Sequence, residues 1–408
     1  MKNQLRIFTG FIMLALAVMA CGLPSGNGDE EGPSSPDDVA TIVASTLQAL
    51  TPVVADAPTG APVPARLLPH SFYYLGNDNA GLTQVFRIER DGRTTRQVTM
   101  EPAKVETYDV SPVDGSVVYV SNNQMLLINA DGSGRRLLVD GGAVDQNNPF
   151  LTSVSNPVFS PNGKTIAYGH NGLNFYALDT GVSNRVLENQ LDDQGNNFIF
   201  PRELYWPEKY SPDGTKLLIT LGYYEGASSA VYYPAGNSLV RLKGGEGALI
   251  CCGAEAWVPD GSSFYSSSAT TGMFNSGLWK VNASDGVVIT LFTSNFDTSL
   301  FNYAGNPFPA PDGQLYFFFH TSNTEIMMRP PLQLVRSAPD GVTGRTILSP
   351  RTFELMNEAL WSPDASFVVV AMAPIADVYY GGRAEIVYLD GRPSVILTPF
   401  AQSMKWGP

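Results

Sequence analysis

One tight turn, written again and again, constrains this chain more than any other feature. Ser-Pro-(Asp/Asn)-Gly occurs at Ser160-Pro161-Asn162-Gly163 and Ser211-Pro212-Asp213-Gly214. Variants stand at Ser111-Pro112-Val113-Asp114-Gly115, Val258-Pro259-Asp260-Gly261, Ala310-Pro311-Asp312-Gly313 and Ser362-Pro363-Asp364-Ala365. From Pro112 to Pro363 these prolines follow one another at intervals of 47 to 52 residues. Pro presets φ, Asp or Asn bonds its own backbone, and Gly accepts a positive φ, so each turn reverses the chain. A turn recurring at this period predicts a fold assembled from equal, repeated units.

Each unit carries the same strand plan. A strand follows the turn: Val117–Val120, Thr165–Tyr168, Leu217–Thr220, Phe264–Ser267, Leu315–Phe319 and Phe367–Ala371. A third strand ends at a second turn, such as Asp131-Gly132, Asp179-Thr180-Gly181 or Asp390-Gly391, and a short fourth strand closes the unit. Four short antiparallel strands per unit predict a propeller blade. The ends complete the count. Residues 71–99 supply a second, third and fourth strand without a first, and Met404 to Pro408 supply a first strand without a second. The expectation is an all-β, seven-bladed β-propeller of four-stranded antiparallel blades. Its ring is closed by the C-terminal strand joining the N-terminal blade, which removes an open sheet edge.

The Ser-Pro-Asp-Gly turn, the apolar strand after it and the later Asp-Gly hairpin resemble the TolB-type, WD40-like propeller repeat over residues 66–408. The resemblance implies extracytoplasmic binding proteins, accessory domains of prolyl-oligopeptidase-like peptidases, or some polysaccharide lyases.

The N-terminus reads as an address. Lys2 and Arg6 precede the apolar run Ile7–Ala20, which is too short to span a bilayer comfortably and suits a signal peptide. Ala20-Cys21 resembles the lipobox of bacterial lipoproteins. That implies cleavage after residue 20 and a diacylglyceryl thioether on Cys21, hence a membrane anchor outside the cytoplasm. Residues 21–65 read as linker, with helical spacing of Val39, Ile42, Val43, Leu47 and Leu50 predicting a short helix at 37–50.

Composition narrows the functional classes. A net charge of -13 provides no footprint for nucleic acid or anionic lipid. No Gly-x-Ser-x-Gly elbow occurs, which argues against the peptidase branch. The three histidines are His70, His170 and His320. The last two follow their turn glycines by equal steps but fall in nearly opposite blades, so strand-end roles are expected of them. Cys251-Cys252 leaves two readings open, a vicinal disulfide or two buried thiols. The Asx-rich stretches at 145–148 and 192–197 lack a complete calcium loop and read as solvated loops.

Aromatic residues among amides and acids form the candidate binding surface: Tyr223, Tyr224, Phe274, Phe296, Phe301, Tyr303, Tyr379 and Tyr380, with Asp192 and Asp193 beside them. Such a surface suits a protein or glycan partner. The expectation is a lipid-anchored binding or scaffolding module of the cell envelope. It has no catalytic residues, no metal, and no cofactor beyond the diacylglycerol on Cys21. The competing class is a polysaccharide lyase or hydrolase using acids with His170 or His320.

Overall fold

The computed structural model describes residues 66–193, 195 and 199–408. The leader, Cys21 and the expected helix at 37–50 lie outside the described residues. The rest is all-β and runs through seven successive strand groups. The first is β1 (Phe72–Asn77), β2 (Thr83–Ile88) and β3 (Thr95–Gln97). The second is β4 (Val105–Val110), β5 (Val117–Ser121), β6 (Gln124–Ile128) and β7 (Arg136–Asp140). After the short helix α1 (Pro149–Thr152) come β8 (Ser155–Phe159), β9 (Thr165–Gly169), β10 (Gly172–Ala177) and β11 (Val182–Glu188). The fourth group is β12 (Gln190–Asp193), β13 (Ile199–Tyr210), β14 (Leu217–Tyr223), β15 (Gly226–Tyr233) and β16 (Ser238–Arg241).

The fifth group is β17 (Ala256–Trp257), β18 (Ser263–Ser268), β19 (Gly277–Asn282) and β20 (Val288–Thr293). The sixth is β21 (Phe301–Pro309), β22 (Leu315–Ser322), β23 (Gln333–Ser337) and β24 (Thr346–Thr352). The last is β25 (Met356–Trp361), β26 (Phe367–Met372), β27 (Gly382–Tyr388) and β28 (Val395–Trp406). Within each group, neighbours in sequence pair antiparallel. The long β28 pairs with β27 through Val395–Ala401 and with β1 through Gln402–Trp406. One feature departs from four strands per unit. The fourth sheet has five, because Asp192 and Asp193 extend β12 opposite Phe200 and Ile199 instead of forming a loop.

The turn chemistry is visible bond by bond. In the Ser211 turn, the Gly214 amide donates to Ser211 O at 2.9 Å, and Gly214 has φ +70°. The Ser211 hydroxyl accepts the Lys216 amide at 3.0 Å, while Asp213 Oδ1 accepts the Thr215 amide at 3.0 Å. Ser160 and Ser362 repeat the hydroxyl bond, to the Thr165 and Phe367 amides.

Core forms on both faces of each sheet. Val117 and Tyr119 of β5 pack with Tyr73 and Val85 of the preceding group, whereas Val118 and Val120 pack with Phe159 and Ile166 of the next. A period of two therefore sends successive residues into two different cores. That is why these strands carry almost no charge.

Candidate functional site

Successive antiparallel strands reverse direction, so the second-to-third connections and the links between groups gather at one end of the sheets. The first half of the chain closes these second-to-third connections tightly. Asn122 and Asn123, at φ +50° and +57°, make a two-residue turn between β5 and β6. The β14–β15 hairpin also closes on two residues, Tyr224-Glu225, whereas the next three groups project loops 269–276, 323–332 and 373–381.

These loops brace one another. The Thr271 amide donates to Met327 O at 3.2 Å. Arg329, at φ +55°, donates through Nε to Ala376 O at 2.8 Å and through Nη2 to Val378 O, and its guanidinium lies 5.1 Å from the Tyr379 ring centroid. Asn357 Nδ2 donates to Val378 O at 3.1 Å and to Gly381 O at 2.7 Å. Large apolar side chains are thus held out in water, from Met273 at 89% exposed to Tyr379 at 55%, with Met327, Met328, Ile375 and Tyr380 between them. Exposed apolar patches of this kind mark interaction sites.

The structure divides the sequence-derived candidates. Tyr223 and Tyr224 lie at the β14–β15 tip, where Tyr224 stacks on Phe200 at 4.8 Å. Asp192, in the strand beside Phe200, ion-pairs with Arg202 at 3.2 Å; the side chain of Asp193 lies outside the described residues. Phe274 is half-buried in loop 269–276, and Phe296 stands exposed, edge-on to Phe301 at 5.3 Å. Phe301 and Tyr303 correct the expectation. They belong to β21 and are buried, because the strand begins at Phe301 and its pairing with β22 turns both rings into core. Tyr303 still serves the surface indirectly, since its hydroxyl oxygen accepts the Ile326 amide at 2.6 Å and fixes loop 323–332.

A second polar region went unread in the sequence. The first strands of the groups converge, bringing together Asp109, Glu208, Lys209, Glu255, Glu358 and Lys405. Lys405 Nζ meets Asp109 Oδ1 at 2.8 Å, and Glu358 accepts the Ser403 and Met404 amides at 2.8 and 3.1 Å. Lys209 Nζ donates to Glu255 O at 3.0 Å. Burial pushes the Glu208 carboxyl up to about 7, against the opposing hydroxyl of Thr220 and helped by the charge of Glu255. Burial likewise raises Glu255 and Glu358 and lowers Lys209. The available signal was positional: charges recurring just before the turns of a chain that is only 15% charged.

Cys251 and Cys252 form a disulfide with Cα atoms 3.7 Å apart, which decides between the two open readings. The Cys252 amide donates to Thr220 Oγ1, whose hydroxyl donates to Glu208, so the pair adjoins the central acids. His170 has its pKa lowered by burial and then by Arg185; His320 has its own lowered by burial and stacks near Tyr303. Among the described residues, no group of three or more His, Cys, Asp or Glu could hold a metal ion.

No protein-family model and no curated protein matches the sequence. Solved structures do. The chain is similar to TolB from Acinetobacter baumannii at 15% identity, covering 93% of this chain and 74% of that one, with a TM-score of 0.42. It is similar to a putative TolB from Agrobacterium tumefaciens at 19% identity, covering 75% and 99%, with a TM-score of 0.41. An oligogalacturonate lyase from Vibrio parahaemolyticus matches at 11% identity over 80% and 84%, with a TM-score of 0.48. The likeness is of a TolB-like propeller fold alone, and nothing about ligand, reaction or location rests on it.

Proposed function

We propose that this chain is a seven-bladed β-propeller, lipid-anchored through Cys21 outside the cytoplasm, that binds a protein or glycan of the cell envelope. Blade count and closure draw support from β28, which pairs with β27 in one half and β1 in the other. Strands β25 to β28 then form the sixth complete blade, and the end of β28 with β1, β2 and β3 forms the composite seventh. Residues 1–20 are the signal peptide and 21–65 the tether. The anchoring arm of the reading fails if Cys21→Ser leaves membrane partitioning unchanged.

The observation that carries the binding reading is the braced, exposed apolar surface of loops 269–276, 323–332 and 373–381. Recognition there needs no covalent chemistry. The test is a glycan array run beside crosslinking of the tethered protein, each repeated with Tyr379→Ala/Tyr380→Ala. A ligand lost in the double variant supports the reading. No ligand from either method, or one bound equally by the variant, overturns it.

A polysaccharide lyase or hydrolase is the second reading. Glu208 favours it, because a carboxyl titrating near neutrality suits a general acid or base. Depolymerisation of a polysaccharide panel that disappears in Glu208→Gln would replace the binding reading with this one.

A further inference from the structure

The exposed loop surface carries charge as well as apolar area, and the charge is almost all of one sign. Besides loops 269–276, 323–332 and 373–381, two links between strand groups, 294–300 and 353–355, reach the same end of the sheets. These five segments hold four carboxylates, Asp297, Glu325, Glu354 and Asp377, and one cation, Arg329. All four acids are exposed, and none of them is in an ion pair among the described residues.

Hydrogen bonds make these segments one surface. The Ser276 and Ser294 hydroxyls meet at 2.6 Å, which roots link 294–300 beside loop 269–276. Loop 269–276 reaches Met327 O through the Thr271 amide, and Arg329 ties its own loop to Ala376 O. Arg329 also donates through Nη1 to Glu354 O at 3.4 Å, which brings in link 353–355. The one guanidinium is therefore turned to backbone carbonyls and to the Tyr379 ring, not to a carboxylate. What faces water is apolar area with an excess of negative charge.

The kind of apolar area selects the partner. Met273, Met327, Met328 and Ile375 are aliphatic and outnumber the exposed rings of Tyr379 and Tyr380. A glycan, rich in hydroxyls, needs directed hydrogen bonds, and the donors of Arg329 and Asn357 are already spent on loop carbonyls. Methionine chains, unbranched and polarizable, instead mould themselves to the apolar side chains of a protein. An anionic membrane surface would be repelled by the four carboxylates.

We propose, resting on the binding reading above, that the partner is a protein segment presenting aliphatic or aromatic anchors flanked by lysine or arginine. The anchors displace water from Met273, Met327, Met328 and Ile375. The flanking cations meet Glu325 and Asp377, which stand on the two loops that Arg329 joins. Apolar burial supplies the affinity, while the acids set the orientation and the rate of encounter.

The test is fluorescence anisotropy of the full chain with three labelled synthetic peptides of equal length. One is built of leucine and lysine, one of leucine and glutamate, and one of serine and lysine. Saturable binding is expected of the leucine–lysine peptide alone, weakening as salt rises from about 0.01 M to about 0.1 M and charges are screened. Met273→Ser/Met327→Ser should weaken it about 10-fold, and Glu325→Gln/Asp377→Asn about 3-fold with a shallower salt dependence. Thermal melts establish that both variants fold, and the Glu325→Gln/Asp377→Asn variant keeps the test decisive if the other does not. No saturable binding, equal binding of either control peptide, or affinities unchanged in the folded variants would each overturn the proposal. Silent peptides beside a glycan that is lost in Tyr379→Ala/Tyr380→Ala would overturn it and leave the wider binding reading standing.

Discussion

The second strand group and the last share one frame and differ at one end. Between β5 and β6 the chain reverses on Asn122-Asn123, and Asn123 is spent on structure. Its Nδ2 donates to Gly142 O at 3.0 Å and Thr152 O at 3.1 Å, while its Oδ1 accepts the Val154 amide at 2.7 Å. Between β26 and β27 the chain instead runs out through 373–381, and Asn357 makes a similar pair of bonds to hold that excursion open. The same amide chemistry closes the surface in one region and presents Tyr379 and Tyr380 in the other. Loop length can therefore change without disturbing the cores, because the connections lie outside them.

The largest expected effect tests the frame that both regions share. Trp406 donates through Nε1 to Trp361 O at 2.7 Å and meets Phe72 edge-on at 5.8 Å, joining the last strands to the first. Trp406→Ala should destabilise the fold by about 3 kcal/mol in urea unfolding. A change below ~1 kcal/mol would mean that the two ends are not structurally coupled.

Next comes the pH dependence of the central strands. The folded pKa of Glu208 is about 7 against an ordinary 4.5, so between these values the native state keeps a proton that the unfolded chain has lost. Stability from this group should therefore fall as pH rises through that window, by about 2 kcal/mol. Glu208→Gln should flatten that part of the profile, and a wild-type profile with no decline there would remove the assignment.

The two regions are then set against each other directly. Asn123→Ala loses three bonds and places alanine at φ +57°, which should cost roughly 2 kcal/mol of global stability. Arg329→Ala should cost less than ~1 kcal/mol globally and act on local order. Its signature is faster amide exchange confined to 373–381. Equal global losses in both variants would erase the distinction between a closed and a presented end. The smallest effect on stability belongs to Tyr379→Ala/Tyr380→Ala, within ~0.5 kcal/mol of wild type, although this variant should lose ligand.

Much of the fold was legible because its instructions are local. The repeated turn spells out its own hydrogen bonds, and strands such as Val117–Ser121 declare two buried faces by lacking charge. The site was legible only in part. Tyr224, Tyr379 and Tyr380 are exposed, but Tyr303 is core because the start of β21 at Phe301 depends on pairing with β22, which no local pattern announces. Asp192 looks like loop in sequence for a similar reason, since β12 is a strand only through its partner β13. Nothing local distinguishes Arg329 from any other arginine near a proline; its role exists only where loops from two groups meet.

The sequence by itself determined the period, the turns and the alternation that fills two cores at once, because each depends on residues within a few positions of one another. Tertiary structure alone decided what meets at the centre and at the rim. Lys405 and Asp109 are separated by 296 residues and touch at 2.8 Å, as the first strands of different groups are brought side by side. A period can be read from spacing, but which two units become neighbours, and what their facing side chains leave unsatisfied, follows from packing in three dimensions.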